Sequence, residues 1–207
     1  MTFSYNNVIF HSRGGGAMYN QKKLQDLGIF RTEDAREAGL SQPTLSRLAQ
    51  SGQLLRLERG LYQYPGATID ASELDFAIAC ARLGKNSVIG GISALFRYGL
   101  ISQVPDQIWI LVPPSVRSKN PLYRCIRTQN NLVIGVVDQR IYRITGLERT
   151  LIESLQYASK IGVSIVVSAA RKALEEGMTS EKKLYDMAIK LGKKNGFIKY
   201  WEVIVSP

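Results

Sequence analysis

The sequence holds few of the residues on which most metal sites and nucleophilic enzymes depend. It has one histidine, His11, and two cysteines, Cys80 and Cys125, which lie far apart in apolar stretches. Zinc sites need clustered Cys and His ligands, and a catalytic Cys–His pair needs both residue types at one place. We therefore expect no metal, no cofactor and no disulfide framework, and we interpret the cysteines as buried thiols in a reducing cytoplasm.

Long apolar runs are also missing. No stretch reaches the roughly 18–20 apolar residues that are needed to span a bilayer. The N-terminus does not show a basic segment followed by an apolar one, which is the pattern of a secretion signal. The sequence therefore predicts a cytoplasmic protein with no membrane segment.

Acidic residues are scarce relative to basic ones, with 17 Asp and Glu against 27 Lys and Arg. The net charge of +10 and the isoelectric point near 9.7 suggest a polyanionic partner. Residues 20–66 carry a net charge of +2 and residues 67–207 a net charge of +7. The charge leaves two alternatives open: either the second part also contacts nucleic acid, or its basic face is only solvated.

The stretch Ile29–Gly66 has the pattern of a winged helix-turn-helix. Thr32 is placed to cap a short first helix, and two acidic residues follow it, where the helix dipole favours anions. Gly39 suits the sharp turn after this helix. Ser41 is placed to cap a second helix over residues 42–51, which is therefore predicted to be the recognition helix.

The outer face of the second helix and the segment after it supply the candidate DNA contacts. The run LLRLERGLYQY reads as a β-hairpin, which directly after a recognition helix would be a wing. The helix residues predicted to face the major groove are Gln42, Thr44, Ser46, Arg47 and Gln50. Arg56 and Arg59 are predicted to contact the DNA backbone or minor groove. The alternative is a helical pair with a β-ribbon that serves only packing or protein contact.

The chain divides into three predicted parts. Residues 1–17 form a tail that ends in three glycines, and a helix ending at Leu27 opens a winged domain over residues 18–66. Purine-rich codons for Arg13-Gly14-Gly15 would suit a ribosome-binding site, so translation from Met18 is a hypothesis. Residues 67–207 form a second, α+β domain, so the fold class is α+β.

The second domain is predicted to begin with helices, continue with a small sheet and end with helices. The predicted helices are Glu73–Leu83, a segment closed at Gly99, a segment from Glu148 to about Ser159, Val163–Glu175, Thr179–Leu191 and Gly196–Val205. The predicted strands are Gln107–Val112, Tyr123–Thr128, Leu132–Val137 and Ile141–Thr145.

Two enzyme motifs occur in fragments but lack the residues that would complete them. Gly90-Gly91-Ile92-Ser93 is similar to the opening of a nucleotidyltransferase site, which also needs paired carboxylates for Mg²⁺, whereas Asp106 stands alone. Glu181-Lys182-Lys183 has the letters of a nuclease site but sits where a capped helix should begin. We therefore predict that the protein is not an enzyme.

The sequence resembles AbiEi-type antitoxins of bacterial type IV toxin–antitoxin systems. The residues that carry the resemblance in the first domain are Phe30-Arg31-Thr32, Ala35, Ala38-Gly39-Leu40-Ser41, Leu45-Ser46-Arg47-Leu48, Ser51-Gly52-Gln53-Leu54 and Arg59-Gly60-Leu61-Tyr62. Those in the second domain are Ser93-Ala94-Leu95, Tyr98-Gly99-Leu100 and Glu148-Arg149-Thr150-Leu151.

The resemblance implies a DNA-binding transcriptional repressor that recognises an inverted repeat in its own promoter. It further implies antagonism of a nucleotidyltransferase-like toxin, without the need for a stable protein complex. The alternative is a winged-helix regulator of other genes, whose second domain serves dimerisation or partner binding and which has no toxin.

Overall fold

The computed structural model describes residues 21–67, 69–84, 86–128 and 132–205, and of Gln21 only the backbone. The predicted tail, residues 1–17, and the proposed start at Met18 lie outside these residues. The chain forms two compact units. The first holds the described residues up to Arg56 together with Tyr62–Ala67, and the second holds Leu57–Leu61 and the described residues from 69 onward.

The N-terminal elements alternate between short helices and short strands. They are α1 (Gln21–Leu27), β1 (Ile29–Arg31), α2 (Thr32–Glu37), α3 (Gln42–Gln50), β2 (Leu55–Glu58) and β3 (Leu61–Gln63). The strands form one sheet in the order β1-β3-β2. Strand β1 was not predicted, because three residues are too few to show an alternating pattern.

The turn between α2 and α3 forms as the sequence predicts, with one correction at its beginning. Gly39 has φ +89°, and the N–H of Leu40 donates to the carbonyl of Ala35 at 2.8 Å. The prediction that Thr32 caps α2 is wrong, since Thr32 is the first helical residue and Arg31 precedes the helix. The backbone N–H of Arg31 donates to the Asp34 carboxylate at 2.7 Å, so an acidic side chain closes this helix end.

The second unit is built on a mixed five-stranded sheet in the order β6-β5-β4-β8-β7. Its elements are α4 (Ala71–Leu83), β4 (Val88–Ile89), α5 (Gly91–Arg97), β5 (Ile108–Val112), β6 (Tyr123–Arg127), β7 (Val136–Asp138), β8 (Arg143–Thr145), α6 (Leu147–Gln156), α7 (Ala158–Ile161), α8 (Val163–Glu175), α9 (Glu181–Lys190) and α10 (Lys194–Val205). The pairs β5–β6 and β4–β8 are parallel, whereas β4–β5 and β7–β8 are antiparallel. The α+β class and the helical C-terminus are confirmed.

The core of this unit lies between the sheet and its helices. Trp109 of β5 packs there with buried residues of α5, α6, α8, α9 and α10, among them Leu151 and Val166. Of the two cysteines, Cys80 is buried in α4, whereas Cys125 on the edge strand β6 is only half-buried. The expectation of two buried thiols is therefore correct for one of them.

Two predicted boundaries in the second unit are wrong for a common reason. The predicted strand Leu132–Val137 begins only at Val136, because Gly135 lies in a turn at φ +60°. The predicted strand Ile141–Thr145 begins only at Arg143, because Arg140 has φ +65° in the turn of the β7–β8 hairpin. Apolar residues in these turns mimic a strand pattern, but the backbone direction changes there.

Candidate nucleic-acid interface

Helix α3 presents polar side chains along its outer face. Leu45 is fully buried in the core of the first unit, and Leu48 and Ala49 are half-buried. The opposite side carries four predicted DNA contacts in exposed positions: Gln42, Ser46, Arg47 and Gln50. The apolar face can therefore hold the helix in place while the polar face offers hydrogen-bonding groups to a ligand.

Thr44, the fifth predicted contact on α3, lies at the capped end of the helix and is half-buried. Its backbone N–H donates to Ser41 Oγ at 3.4 Å, and the two hydroxyl oxygens are 2.9 Å apart. The predicted cap at Ser41 is thus confirmed. The Thr44 hydroxyl helps to fix the beginning of the helix.

The β2–β3 hairpin carries the two remaining predicted contacts. Arg56 and Arg59 are both exposed, and Gly60 has φ +78°, as a tight hairpin turn requires. Arg56 belongs to the first unit, together with α3. Arg59 belongs to the second unit, because the hairpin tip Leu57–Leu61 packs with that unit.

An ion pair holds the hairpin tip to α4. The Nε atom of Arg82 lies 2.5 Å from Oε2 of Glu58, and the other oxygen, Oε1, accepts from the backbone N–H of Arg59 at 3.2 Å. The hydrogen bond to Glu58 and the nearby Tyr123 phenol raise the pKa of Arg82 above its ordinary value. Sequence reasoning missed this pair because its members are 24 positions apart and no local pattern links them.

Gly90-Gly91-Ile92-Ser93 has a packing role. A Cβ atom on Gly91 would lie 2.6 Å from Trp109 Cε3, so the helix approaches the strand closely at that residue. Ser93 Oγ accepts from the N–H of Trp109 at 2.9 Å and donates to the carbonyl of Gln107 at 3.3 Å. The glycines and the serine thus join α5 to β5.

The other fragmentary enzyme motif also has a structural explanation. Glu181 is the first residue of α9, and Ser180 Oγ caps that helix by accepting from the N–H of Lys183 at 3.4 Å. The Glu-Lys-Lys letters therefore lie at a capped helix start, where a nuclease motif would need a strand.

A buried ion pair in α6 was not foreseen from the sequence. Arg149 is fully buried and donates to Glu153 Oε1 from Nε at 3.1 Å and from Nη2 at 2.9 Å, and Nη1 donates to the carbonyl of Ile134. Burial raises the pKa of Glu153, against the opposing effect of Arg149. The Glu-Arg-Thr-Leu motif thus supplies Arg149, whose guanidinium binds the Ile134 carbonyl in the turn before β7.

The described residues hold neither a candidate metal cluster nor a membrane-spanning helix. Among residues 21–67, 69–84, 86–128 and 132–205, no three His, Cys, Asp or Glu side chains are grouped so that they could hold a metal ion. Within the same ranges, no helix is long and apolar enough to cross a membrane.

The capped α3, the turn before it and the three-stranded sheet define an arrangement of the winged helix-turn-helix class. Residues 23–65 match the family model described as transcriptional regulator, AbiEi antitoxin. The predicted resemblance to the AbiEi family is therefore confirmed over this segment.

Comparison with solved structures gives a weaker likeness. The crystal structure of the RV2827C protein from Mycobacterium tuberculosis aligns with 84% of this chain and 74% of its own chain, at 17% sequence identity and a TM-score of 0.46. No curated protein matches the chain.

Proposed function

We propose that the protein is a DNA-binding transcriptional regulator of the AbiEi antitoxin type that acts in the cytoplasm, represses its own operon and is not an enzyme. The observation that carries the proposal is the exposed polar face of α3 within the segment that matches the AbiEi model. A helix that is capped at its start and anchored by Leu45 can enter a major groove as a rigid unit.

The hairpin and the charge of the chain support the same function. Arg56 and Arg59 are exposed cations at the position of a wing, where they would neutralise phosphates. The net charge of +10 would add a sequence-independent attraction to DNA and speed the encounter. Together these features suit double-stranded DNA better than a packing role for the hairpin alone.

The antitoxin part of the proposal depends on the family match. The family description joins antitoxin and transcriptional regulator, so we propose that the protein also counteracts a nucleotidyltransferase-like toxin, without the need for a stable complex. The second unit is the part of the chain that we assign to this role. Co-expression with a toxin from the same operon should restore growth.

Fluorescence anisotropy tests the DNA-binding part directly. The intact protein is titrated against a duplex from upstream of its own gene, and against a scrambled duplex of the same composition, at two salt concentrations. Tight binding to the first duplex only is expected, and an inverted repeat should be protected from cleavage. Weak binding to both duplexes that disappears at the higher salt would overturn the proposal, since a basic surface alone behaves in this way.

A further inference from the structure

The Glu58 side chain joins two parts of the second unit, the hairpin tip and α4. One carboxylate oxygen binds Arg82 of α4 at 2.5 Å, and the other accepts from the backbone N–H of Arg59 at 3.2 Å. The Glu58 side chain is 24% exposed and that of Arg82 47% exposed, so both are partly withdrawn from water. The backbone that carries the Arg59 side chain is therefore tied to a 13-residue helix.

We propose that Glu58 and Arg82 are positioning residues for DNA binding, which hold the hairpin tip so that Arg59 meets the phosphate backbone. The inference rests on the proposed function, because it assigns α4 a part in DNA binding without contact to DNA. Neither residue belongs to the predicted contact set, and neither lies on α3: Glu58 ends β2 and Arg82 is in α4.

Positioning and a direct charge effect predict different results when the Glu58 charge is removed. Glu58 lies in the sequence between Arg56 and Arg59, the two predicted phosphate contacts. A carboxylate at this place repels DNA by simple Coulomb interaction. Removal of the Glu58 charge should then strengthen binding. If the carboxylate instead holds the tip in place, its removal releases the turn and the Arg59 side chain loses its fixed starting point. The two mechanisms therefore predict opposite signs for the same substitution.

A Tyr123 interaction strengthens the case for Arg82 as a fixed anchor. The Tyr123 phenol on β6 lies near enough to the Arg82 guanidinium to raise its pKa together with Glu58. A long side chain that is already restrained by one partner loses less conformational freedom when it binds a second. Arg82 thus provides a defined point on α4 to which the hairpin tip is attached.

The substitution Glu58→Gln separates the two mechanisms, and α4 itself offers a matched control. Glu73 on the same helix forms an ion pair with Arg97 at 2.7 Å, so Glu73→Gln causes the same change in net charge. We expect Glu58→Gln to weaken binding of the intact protein to its upstream duplex about two- to fivefold, the range of an exposed ion pair. Glu73→Gln should not weaken it.

A double-mutant cycle that combines Glu58→Gln with Arg59→Ala tests whether Glu58 acts through Arg59. We expect Arg59→Ala to cost clearly less affinity in the Glu58→Gln background than in the wild-type background, because a misplaced Arg59 has less to lose. Equal costs in both backgrounds, or tighter binding by Glu58→Gln, would overturn the inference. Unchanged melting temperatures of the variants would exclude unfolding as the cause.

Failure of the proposed function can be distinguished from failure of this inference. If the wild-type protein shows no preference for its upstream duplex, the proposed function is overturned. Hydrogen exchange without DNA tests separately whether Glu58 holds the hairpin tip: the Arg59 and Gly60 amides should exchange faster in Glu58→Gln than in Glu73→Gln, and equal rates would overturn the inference. If the wild-type protein binds and Glu58→Gln binds equally well, only the positioning role is overturned.

Discussion

The hydroxyl of Ser93 and the backbone N–H of Trp109 are joined by a hydrogen bond of 2.9 Å that ties α5 to β5. The same hydroxyl donates to the carbonyl of Gln107, so both of its hydrogen-bonding functions are used inside the fold. The short glycine-rich segment before Ser93 lets the helix come close enough for these bonds. A motif that resembles an enzyme loop is thus explained by packing.

Substitution of Gly91 should show how close this approach is. Gly91→Ala combines a positive φ of +54° with a Cβ that would lie 2.6 Å from the Trp109 ring. Gly99→Ala is the matched control, because Gly99 has φ +68° but open space around its Cβ. We expect the control to cost about 1 kcal/mol and Gly91→Ala to cost an additional 1–3 kcal/mol or so from overpacking. Urea unfolding measures both, and equal costs would contradict the packing role.

The buried pair Arg149–Glu153 leads to a prediction for stability at neutral pH. Arg149→Met leaves a carboxylate in the core without its cation, and removal of one partner of a buried ion pair typically costs about 3–5 kcal/mol. The measurement is the free energy of unfolding in urea at pH 7. Glu176→Gln is the control, because it breaks the exposed pair Lys172–Glu176 at the same helical spacing and should cost under about 1 kcal/mol.

The same variant should show a specific pH dependence. Burial already raises the pKa of Glu153 above its ordinary value of 4.5, and loss of the Arg149 charge raises it further. Because its pKa is raised in the folded state, Glu153 holds a proton in the folded protein at pH values where it has lost it in the unfolded chain. The stability that Glu153 contributes is therefore fully present below 4.5 and is lost as pH rises through the raised pKa. The loss in free energy of unfolding caused by Arg149→Met should therefore be larger when measured at pH 7 than when measured near pH 5. A deficit that is equal at both values would contradict this linkage.

The sequence predicts the order of elements well where helices have caps and apolar faces. Ser41, Ser180 and the glycines after the helices define most helix ends, because caps and C-terminal glycines are local signals. The sequence does not predict what depends on distant partners. The beginning of β7 is displaced by the turn that Arg149 binds through the Ile134 carbonyl, and the Glu58–Arg82 pair joins residues from two separate elements.

The candidate interface divides in the same way. Exposure of Gln42, Ser46, Arg47 and Gln50 follows from the period of α3, since Leu45 must face the core. The assignment of the hairpin tip to the second unit does not follow from any local pattern. It depends on α4, whose contact with Glu58 only the folded chain reveals.

Arg59→Ala should reduce DNA binding without a change in sequence preference. If Arg59 neutralises one phosphate, its removal should lower the affinity for all duplexes alike and reduce the slope of log K against log salt by about 0.9. The measurement is anisotropy over a range of salt concentrations. Arg117→Ala is the control, because it removes an exposed arginine whose guanidinium already donates to the Pro114 carbonyl. Equal slopes for the two variants would mean that only the net charge matters.

Arg47 should instead determine sequence preference. It is exposed on the outer face of α3, and a guanidinium can donate two hydrogen bonds to guanine O6 and N7. We expect Arg47→Ala to weaken specific binding by about 1–3 kcal/mol and to relax discrimination at one base pair. Arg47→Lys keeps the charge but loses the planar fork, so it should retain binding to scrambled DNA while it loses much of the preference for the upstream duplex. If Arg47→Lys and the wild-type protein discriminate equally between the two duplexes, Arg47 contacts phosphate and does not read a base. The base-reading residues would then be other polar residues of α3.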